Sequence, residues 1–256
     1  MAEVVIIGTA EEAGVVAADE IERLVRQKPD AVLGLATGST PLTTWASLAA
    51  RGLDLSHVRT FALDEYVGLE PGHPESYRSV ITREVIVPLG LTPSLAHVPA
   101  DSGPIETAGD DYERAIDAAG GIDLQVLGIG RTGHVGFNEP GSSLASLTRV
   151  KTLTEQTRRD NARFFDSPGD VPTHCVTQGL GTILRARHLV LLAFGEKKAD
   201  AIAGAVEGPV TSSMPGSVIQ LHPRVTVIVD EAAASRLVNA DYYRNAWASR
   251  LDWEKY

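Results

Sequence analysis

The sequence of 256 residues contains a single cysteine, Cys175, and no apolar run long enough to cross a membrane. One cysteine excludes an internal disulfide and any zinc site built from several cysteines, and it is typical of reducing compartments. Basic residues are the minority, because 23 Lys and Arg stand against 33 Asp and Glu, a net charge of −10. That balance disfavours nucleic-acid binding. The first residues lack the basic stretch of a signal peptide, so we expect a cytoplasmic protein without nucleic-acid or membrane partners.

What the sequence does contain is an alternation of short apolar runs and helical patterns. This order predicts a mostly parallel, doubly wound (Rossmann-like) α/β sheet with helices on both faces. No linker divides the chain, so we predict one domain over residues 1–256. The predicted strands are Val4–Ile7, Ala31–Ala36, Val58–Leu63, Leu124–Ile129, Leu189–Phe194 and Val225–Val229. The predicted helices are Glu11–Arg26, Pro41–Ala50, Ser76–Val87, Thr107–Ala118, Thr173–Leu184 and Glu196–Val206.

Two segments fit this alternation less well. Residues 141–171 combine many polar side chains with a weak strand pattern. Such a composition is typical either of a mobile lid over a site or of a long surface loop. Residues 241–256 hold two of the three tryptophans and three of the six tyrosines, which predicts a docking helix or an oligomer contact.

The first candidate site is the turn Thr37-Gly38-Ser39-Thr40, which follows a predicted strand and precedes a helix that Pro41 opens. Free N–H groups at a helix N-terminus, a glycine and three hydroxyls together make a good cradle for phosphate. The same residues also suit a turn that only caps the helix. The Gly-Lys-Ser/Thr of a P-loop is absent, which argues against a nucleoside triphosphate.

The second candidate site is the pair Asp64-Glu65, placed where another predicted strand ends. In open α/β sheets, ligands bind beyond the carboxyl ends of the strands, and a carboxylate there can act as a general base. Because neighbours on an extended chain point in opposite directions, we expect one carboxylate to face the ligand and the other to make structural hydrogen bonds. A capping aspartate beside a solvated glutamate is the alternative.

The third candidate site is the glycine-rich loop that carries His134 and Glu139. Gly128-x-Gly130-x-x-Gly133 has the spacing of a dinucleotide fingerprint, but that fingerprint requires a helix at once, and the sequence that follows is a poor helix former. We therefore predict a backbone loop in which His134 moves protons and Glu139 orients its ring. A purely structural histidine is the alternative.

Five motifs in this order resemble the glucosamine-6-phosphate deaminase (isomerase) family over nearly the whole chain. They are LGLATGSTPLTTW, LDEYVGL with HPESYR, LGIGRTGHVGFNEPGSSLAS, TRVKTLTEQTRRDNARFF, and VEGPV with IQLHP. The resemblance implies a modified doubly wound fold that assembles as a homo-oligomer, often a hexamer. It also implies a small-molecule sugar phosphate as substrate, with glucosamine 6-phosphate converted to fructose 6-phosphate and ammonia. That reaction requires neither a metal nor a cofactor.

The resemblance also implies roles for individual residues. Asp64 would be the enolisation base, His134 would drive opening of the sugar ring, and Glu139 would support that histidine. The phosphate would be bound by Thr37, Gly38, Ser39, Thr40, Arg163 and Lys198, with Lys197 as the alternative to Lys198. Arg163 and Lys198 would then supply local positive charge within an acidic protein.

One position departs from the family pattern. Many members have Asp, and others Asn, two residues before the catalytic histidine, whereas this chain has Thr132. A threonine can hydrogen-bond to the imidazole but adds no charge. We therefore expect the opening of the sugar ring to be altered but the activity to be retained. We also expect Glu139 to contribute more to the orientation of the imidazole.

The resemblance extends to a regulatory site. In allosteric relatives, a serine and a nearby Arg and Lys bind an N-acetylated sugar phosphate between subunits, and Ser142, Arg149 and Lys151 match them. Solvated surface charges are the alternative interpretation.

Two other functions compete with the deaminase. A 6-phosphogluconolactonase-like hydrolase shares the Gly-His loop, but its loop continues ASLFP where this chain has GFNEP. A non-catalytic sugar-phosphate sensor would need a helix-turn-helix module, for which the predicted first strand leaves no room, and it would leave Asp64 and His134 without a role.

Overall fold

The structure is a computed structural model that describes residues 3–101 and 103–251. Its centre is a seven-stranded sheet whose paired strands all run parallel, in the order β1-β10-β9-β6-β2-β3-β5. These strands are β1 (Glu3–Ile7), β2 (Val32–Leu35), β3 (Arg59–Ala62), β5 (Ala96–His97), β6 (Leu124–Gly128), β9 (Leu189–Ala193) and β10 (Val225–Asp230). All six predicted strands are confirmed, because runs rich in Val, Ile and Leu suit strands buried on both faces.

Helices surround this sheet, and all of them except the short polar helix Glu155–Asn161 contribute apolar side chains to its core. They are α1 (Ala10–Gln27), α2 (Leu42–Ala49), α3 (Tyr77–Ile81), α4 (Val87–Leu89), α5 (Ala108–Ala118), α6 (Glu155–Asn161), α7 (Leu180–Leu184), α8 (Ala199–Val206) and α9 (Ala240–Ala248). A capping box starts α1, since Thr9 and Glu12 each accept a hydrogen bond from the other's backbone N–H. The predicted doubly wound class with its surrounding helices is confirmed. No described helix is long and apolar enough to span a membrane.

A second, smaller sheet of three antiparallel strands lies beside the first. It has the order β4-β8-β7, formed by β4 (Asp64–Tyr66), β8 (His174–Thr177) and β7 (Arg149–Thr152). The predicted helix Thr173–Leu184 is therefore wrong over its first half. His174–Thr177 pairs on both sides with distant strands, and the helix begins only at Leu180. Tertiary pairing overrides the local pattern here.

The strand order reverses between β2 and β6. From β2 the chain continues outward to β3 and β5, whereas from β6 it continues in the opposite direction to β9 and β10. Such a reversal opens a crevice at the carboxyl ends of the strands, which is where open α/β sheets bind ligands. The loops after β2, β6 and β9 and the extension of β3 into β4 all lie at this edge.

Residues 141–171, the predicted lid or surface loop, contain three short elements. These are β7, α6 and a 3₁₀ turn at Ala162–Phe164. β7 belongs to the small sheet, while α6 and the 3₁₀ turn form an excursion between β7 and β8. In the predicted C-terminal segment, α9 covers Ala240–Ala248, and residues 252–256 lie outside the described part of the chain.

Candidate active site

The hydroxyl-rich turn after β2 leads into α2 without a capping side chain. The simple capping alternative is therefore not what the structure contains. Gly38 has a φ of +92°, which favours glycine, and a Cβ there would point into open space. Thr37 and Thr40 are half-buried, whereas Ser39 is exposed. The turn thus offers hydroxyls, an approachable backbone and a helix N-terminus, as an anion site requires.

The two neighbouring carboxylates on β4 have different environments. Glu65 accepts hydrogen bonds from the backbone N–H groups of Tyr66, Tyr77 and Arg78, at 2.7, 2.9 and 2.8 Å. It therefore fixes the start of α3 against β4. Among the described residues, no side chain or backbone N–H hydrogen-bonds to the Asp64 carboxylate, and this residue is 6% exposed. Glu65 thus makes the structural hydrogen bonds expected of one member of the pair, and it stays a prediction that Asp64 faces the ligand.

Burial sets the acidity of Asp64. Removal from water disfavours the charged form, and the nearby charge of Glu65 adds to this, so the pKa of Asp64 rises to about 8 from its ordinary 3.8. A carboxylate with a pKa near the working pH is suited to take a proton from carbon and to give it back.

The glycine-rich loop after β6 folds back on itself. The N–H of Gly130 donates to the carbonyl of His134 at 2.8 Å, and no helix opens between residues 129 and 141. A Cβ on Gly130 would lie 2.2 Å from Cε1 and Nε2 of the His134 ring. Glycine is therefore required at this position so that the imidazole can pack flat on the backbone.

Thr132 lies between the imidazole and the carboxylate. Its Oγ1 is 2.9 Å from His134 Nδ1 and 3.2 Å from Glu139 Oε2, and Nδ1 is itself 3.3 Å from Oε2. Because a hydroxyl has one proton, a Thr132 that donates to the carboxylate accepts from the ring N–H. This arrangement protonates Nδ1 and leaves Nε2 as the acceptor. The expected contact of Thr132 with the imidazole is present.

Glu139 is 6% exposed but well supplied with donors. Its second oxygen accepts from the hydroxyls of Thr154, at 3.3 Å, and Thr157. Burial raises the pKa of Glu139, but His134, through its hydrogen bond and its charge, and the Thr157 and Thr132 hydroxyls outweigh burial and lower that pKa to about 2. Glu139 is therefore a permanent anion behind the histidine.

The strand that carries Asp64 and the loop that carries His134 meet at Thr177, which is fully buried on β8. In the small sheet Thr177 pairs with Asp64, and its Oγ1 accepts from the N–H of Phe137 at 3.1 Å. A Cβ on Gly136 would lie 2.9 Å from that Oγ1 and 3.4 Å from Asp64 Oδ2. Only a glycine fits at this point, and it brings the His134 loop against the Asp64 carboxylate.

Two cations from other segments, Arg163 and Arg131, lie within electrostatic range of Lys198. Lys198 Nζ donates to the carbonyl of Ile129 at 2.6 Å, which places it at the base of the His134 loop. Burial lowers the pKa of Lys198, and the positive charges of Arg163 and Arg131 lower it further. Lys197, the alternative to Lys198, is exposed. Sequence reasoning missed Arg131, although its position directly before Thr132 was a signal.

Of the three residues matched to a regulatory site, Ser142 precedes β7, whereas Arg149 and Lys151 lie on it. Arg149 and Lys151 project from the same face of β7, the face that Asp64 and Tyr66 share through β8. Arg149 is half-buried, and burial lowers its pKa. Ser142 is buried, and its hydroxyl has no hydrogen-bond partner among the described residues.

Known proteins similar to this chain support the function that this geometry suggests. The profile of the family described as glucosamine-6-phosphate isomerases/6-phosphogluconolactonase matches residues 8–228. The chain belongs to this family. A glucosamine-6-phosphate deaminase of Arthrobacter sp. (strain FB24) is 59% identical over 98% of this chain and 99% of its own length. A glucosamine-6-phosphate deaminase of Streptomyces coelicolor is 55% identical, with 98% and 99% covered.

Solved structures of both kinds of enzyme in the family description are similar to this chain, but to different degrees. A structure described as a monomeric glucosamine-6-phosphate deaminase has a TM-score of 0.88 at 40% identity, covering 91% of this chain and 99% of its own. A 6-phosphogluconolactonase from Trypanosoma cruzi has a TM-score of 0.73 at 21% identity, covering 93% and 97%. At that identity the second likeness is one of fold alone.

Proposed function

We propose that the protein is a glucosamine-6-phosphate deaminase that converts glucosamine 6-phosphate and water to fructose 6-phosphate and ammonia. The observation that carries this proposal is the meeting of Asp64 with the His134 loop at Gly136 and Thr177, with Lys198 bonded to the start of the same loop. An anchored sugar phosphate would lie between a carboxyl group of raised pKa and an imidazole. The deaminases at 55–59% identity support the same activity.

The reaction begins with ring opening. With Nδ1 protonated and directed to Thr132, Nε2 of His134 takes the proton of the C1 hydroxyl and delivers it to the ring oxygen as the C1–O5 bond breaks. The Glu139 anion stabilises the imidazolium that forms between these transfers. The product is the open-chain amino aldehyde.

Isomerisation and deamination follow. Asp64, as carboxylate, removes the proton on C2, and the aldehyde becomes an enolamine with a C1=C2 double bond as its oxygen takes up a proton. Asp64 then returns its proton to C1, the double bond moves to C2=N, and the nitrogen releases one proton, which leaves a hydroxyl on C1 and an imine at C2. Water then adds to C2 and ammonia leaves, so that the ketone of fructose 6-phosphate remains. Each positioned acid or base contributes on the order of 10²–10⁴ in rate. The whole reaction consists of proton transfers, the addition of one water molecule and the loss of one ammonia.

Binding of the phosphate is assigned to the turn of Thr37, Gly38, Ser39 and Thr40 together with Arg163 and Lys198. Arg131 is added to this set because it acts on Lys198 electrostatically from the same loop as His134. Positive charge from three loops would hold the phosphate while the reacting carbons are positioned.

A single coupled assay tests the activity. Purified protein with glucosamine 6-phosphate is expected to release ammonia and fructose 6-phosphate in equal amounts, with no lactone hydrolysis when 6-phosphogluconolactone is supplied instead. Lactone hydrolysis without ammonia release would favour the other branch of the family.

Regulation and assembly are further parts of the proposal. Ser142, Arg149 and Lys151 would bind N-acetylglucosamine 6-phosphate in a homo-oligomer of cytoplasmic enzyme. Light scattering measures the assembly, and initial rates with and without that ligand measure activation. A monomer with hyperbolic kinetics that ignores the ligand would count against both.

A further inference from the structure

The chain segment that carries Arg163 is fixed to the strand that carries Asp64 by one hydrogen bond. Asn161, the last residue of α6, donates from Nδ2 to the hydroxyl of Tyr66 at 2.9 Å. Tyr66 is buried, at 5% exposure, so this bond lies mostly out of water. It joins residues that are 95 positions apart in the chain.

An aromatic contact fixes the same segment on the other side of Arg163. The ring of Phe165 meets Tyr66 edge-on, with centroids 5.7 Å apart, and stacks on His73 at 5.9 Å. Arg163 therefore lies between two anchored positions, Asn161 and Phe165, which both contact Tyr66. Its own side chain is exposed and lies over the ring of Phe164 at 4.6 Å.

Tyr66 is in turn tied to the base. Asp64 and Tyr66 are two residues apart on β4, so their side chains leave the strand on the same face. The Tyr66 ring is held by Tyr77 and Phe137, at centroid distances of 4.9 and 5.7 Å. A rigid ring thus connects the strand of the base with the arginine that lies near Lys198.

We propose that Tyr66 and Asn161 are positioning residues that set the place of Arg163 relative to Asp64. This inference rests on the proposed function, in which Arg163 binds the phosphate and Asp64 acts at C2. The hydroxyl of Tyr66 contacts neither the base nor the cations. It accepts from Asn161 at 2.9 Å and, in a longer contact, from the Tyr77 hydroxyl at 3.4 Å, so the shorter bond is the one through which it acts on the segment that carries Arg163. Its effect is to match the separation of anion site and base to the length of the substrate.

The test is a double-mutant cycle on kcat/KM for glucosamine 6-phosphate. Tyr66→Phe removes the bond from Asn161 and the longer contact from Tyr77 while it keeps the ring contacts. It is expected to lower kcat/KM roughly five- to tenfold, the size of one hydrogen bond, because the 3.4 Å contact is weak. Asn161→Ala is expected to give a similar loss, and the double variant no more than either one. In an Arg163→Gln background, Tyr66→Phe is expected to change kcat/KM less than about twofold.

The matched control is Gln156→Ala. It removes the bond from Gln156 Nε2 to Asp160 Oδ1, at 2.8 Å on the exposed side of the same helix, and is expected to leave kcat/KM unchanged. If Tyr66→Phe lowered kcat/KM equally in the wild type and in the Arg163→Gln background, the inference would be overturned, because the hydroxyl would then not act through Arg163.

A second measurement does not depend on the reaction. Amide hydrogen exchange across residues 155–165 of the ligand-free protein is expected to be faster in Tyr66→Phe than in the wild type, with unchanged exchange in β9 and β10. Unchanged exchange in residues 155–165 would contradict the inference even in a protein that releases no ammonia. Absence of ammonia release by the wild type would by itself contradict only the proposed function.

Discussion

Two carboxylates of the candidate site, Asp64 and Glu139, have the same small exposed fraction, but their pKa values are shifted in opposite directions. Each is 6% exposed. Nevertheless the pKa of Asp64 is raised to about 8, whereas that of Glu139 is lowered to about 2. Burial alone therefore does not decide the charge of a carboxyl group in this protein.

The difference lies in the donors that each environment supplies. Glu139 has the imidazole of His134 and the hydroxyls of Thr132, Thr154 and Thr157 around its two oxygens. Asp64 has none among the described residues, and its neighbour Glu65 takes the backbone N–H groups at the start of α3. When two carboxyl groups have pKa values shifted in opposite directions, they can serve as different chemical groups in one site. Asp64 exchanges a proton, and Glu139 keeps its charge.

The largest effect is expected from Asp64→Asn, which removes the proton-exchanging member of the pair. Turnover should fall on the order of 10²–10⁴-fold, since an amide cannot take the C2 proton. Binding of fructose 6-phosphate, measured by calorimetry, should be retained because the cations are untouched. Near-normal ammonia release by this variant would remove Asp64 as the base.

The pair should also differ in how each affects stability with pH. The raised pKa of Asp64 means that wild-type stability falls as pH rises from about 4 to about 8, because only the unfolded state releases the proton there. Asp64→Asn should therefore gain stability relative to wild type across that window, by a few kcal/mol at most.

Glu139→Gln should show the opposite sign. The lowered pKa of Glu139 stabilises the fold above its ordinary value of 4.5, and this contribution is lost as pH falls towards about 2. The variant should be less stable than wild type at neutral pH, with the gap closing in acid. Urea unfolding at pH 3, 4, 6 and 8 would measure both variants. A stability difference from wild type that stays constant over this whole range in both variants would contradict the comparison.

A smaller effect is expected from Thr132→Asp, which places a second anion beside His134. An added negative charge favours the imidazolium, so the limb of the kcat/KM profile that reports the histidine should move to higher pH by about one unit. The matched control is Thr132→Asn, which adds a similar shape without charge. A profile that moves equally in both variants would mean that charge is not the cause.

The smallest effect is expected from Thr177→Val, which keeps the shape of the side chain where the two loops meet. Loss of the acceptor for the Phe137 N–H should lower kcat a fewfold, on the order of one hydrogen bond. Thr177→Ser retains the hydroxyl and should recover most of the rate. Equal rates in the valine and serine variants would mean that this bond does not position the His134 loop.

The sequence predicted the large sheet because its strands are continuous apolar runs, a local property. It predicted Asp64, His134 and Glu139 from motifs at strand ends and from the family resemblance. It could not predict the small sheet, since β4, β8 and β7 come from distant segments and the β8 residues His174–Thr177 also fit a helical pattern. Thr177 and the Tyr66–Asn161 bond were missed for the same reason. Arg131 was missed because a single arginine in a loop has no periodic pattern, and its proximity to Lys198 depends on how two distant loops fold.

The comparison is tested most directly by titrating both carboxyl groups in the ligand-free protein. Carbon-13 NMR of aspartate- and glutamate-labelled protein, assigned with Asp64→Asn and Glu139→Gln, should show Asp64 titrating near pH 8 and Glu139 remaining ionised down to about pH 2. Titration of both groups near pH 4 would contradict the account.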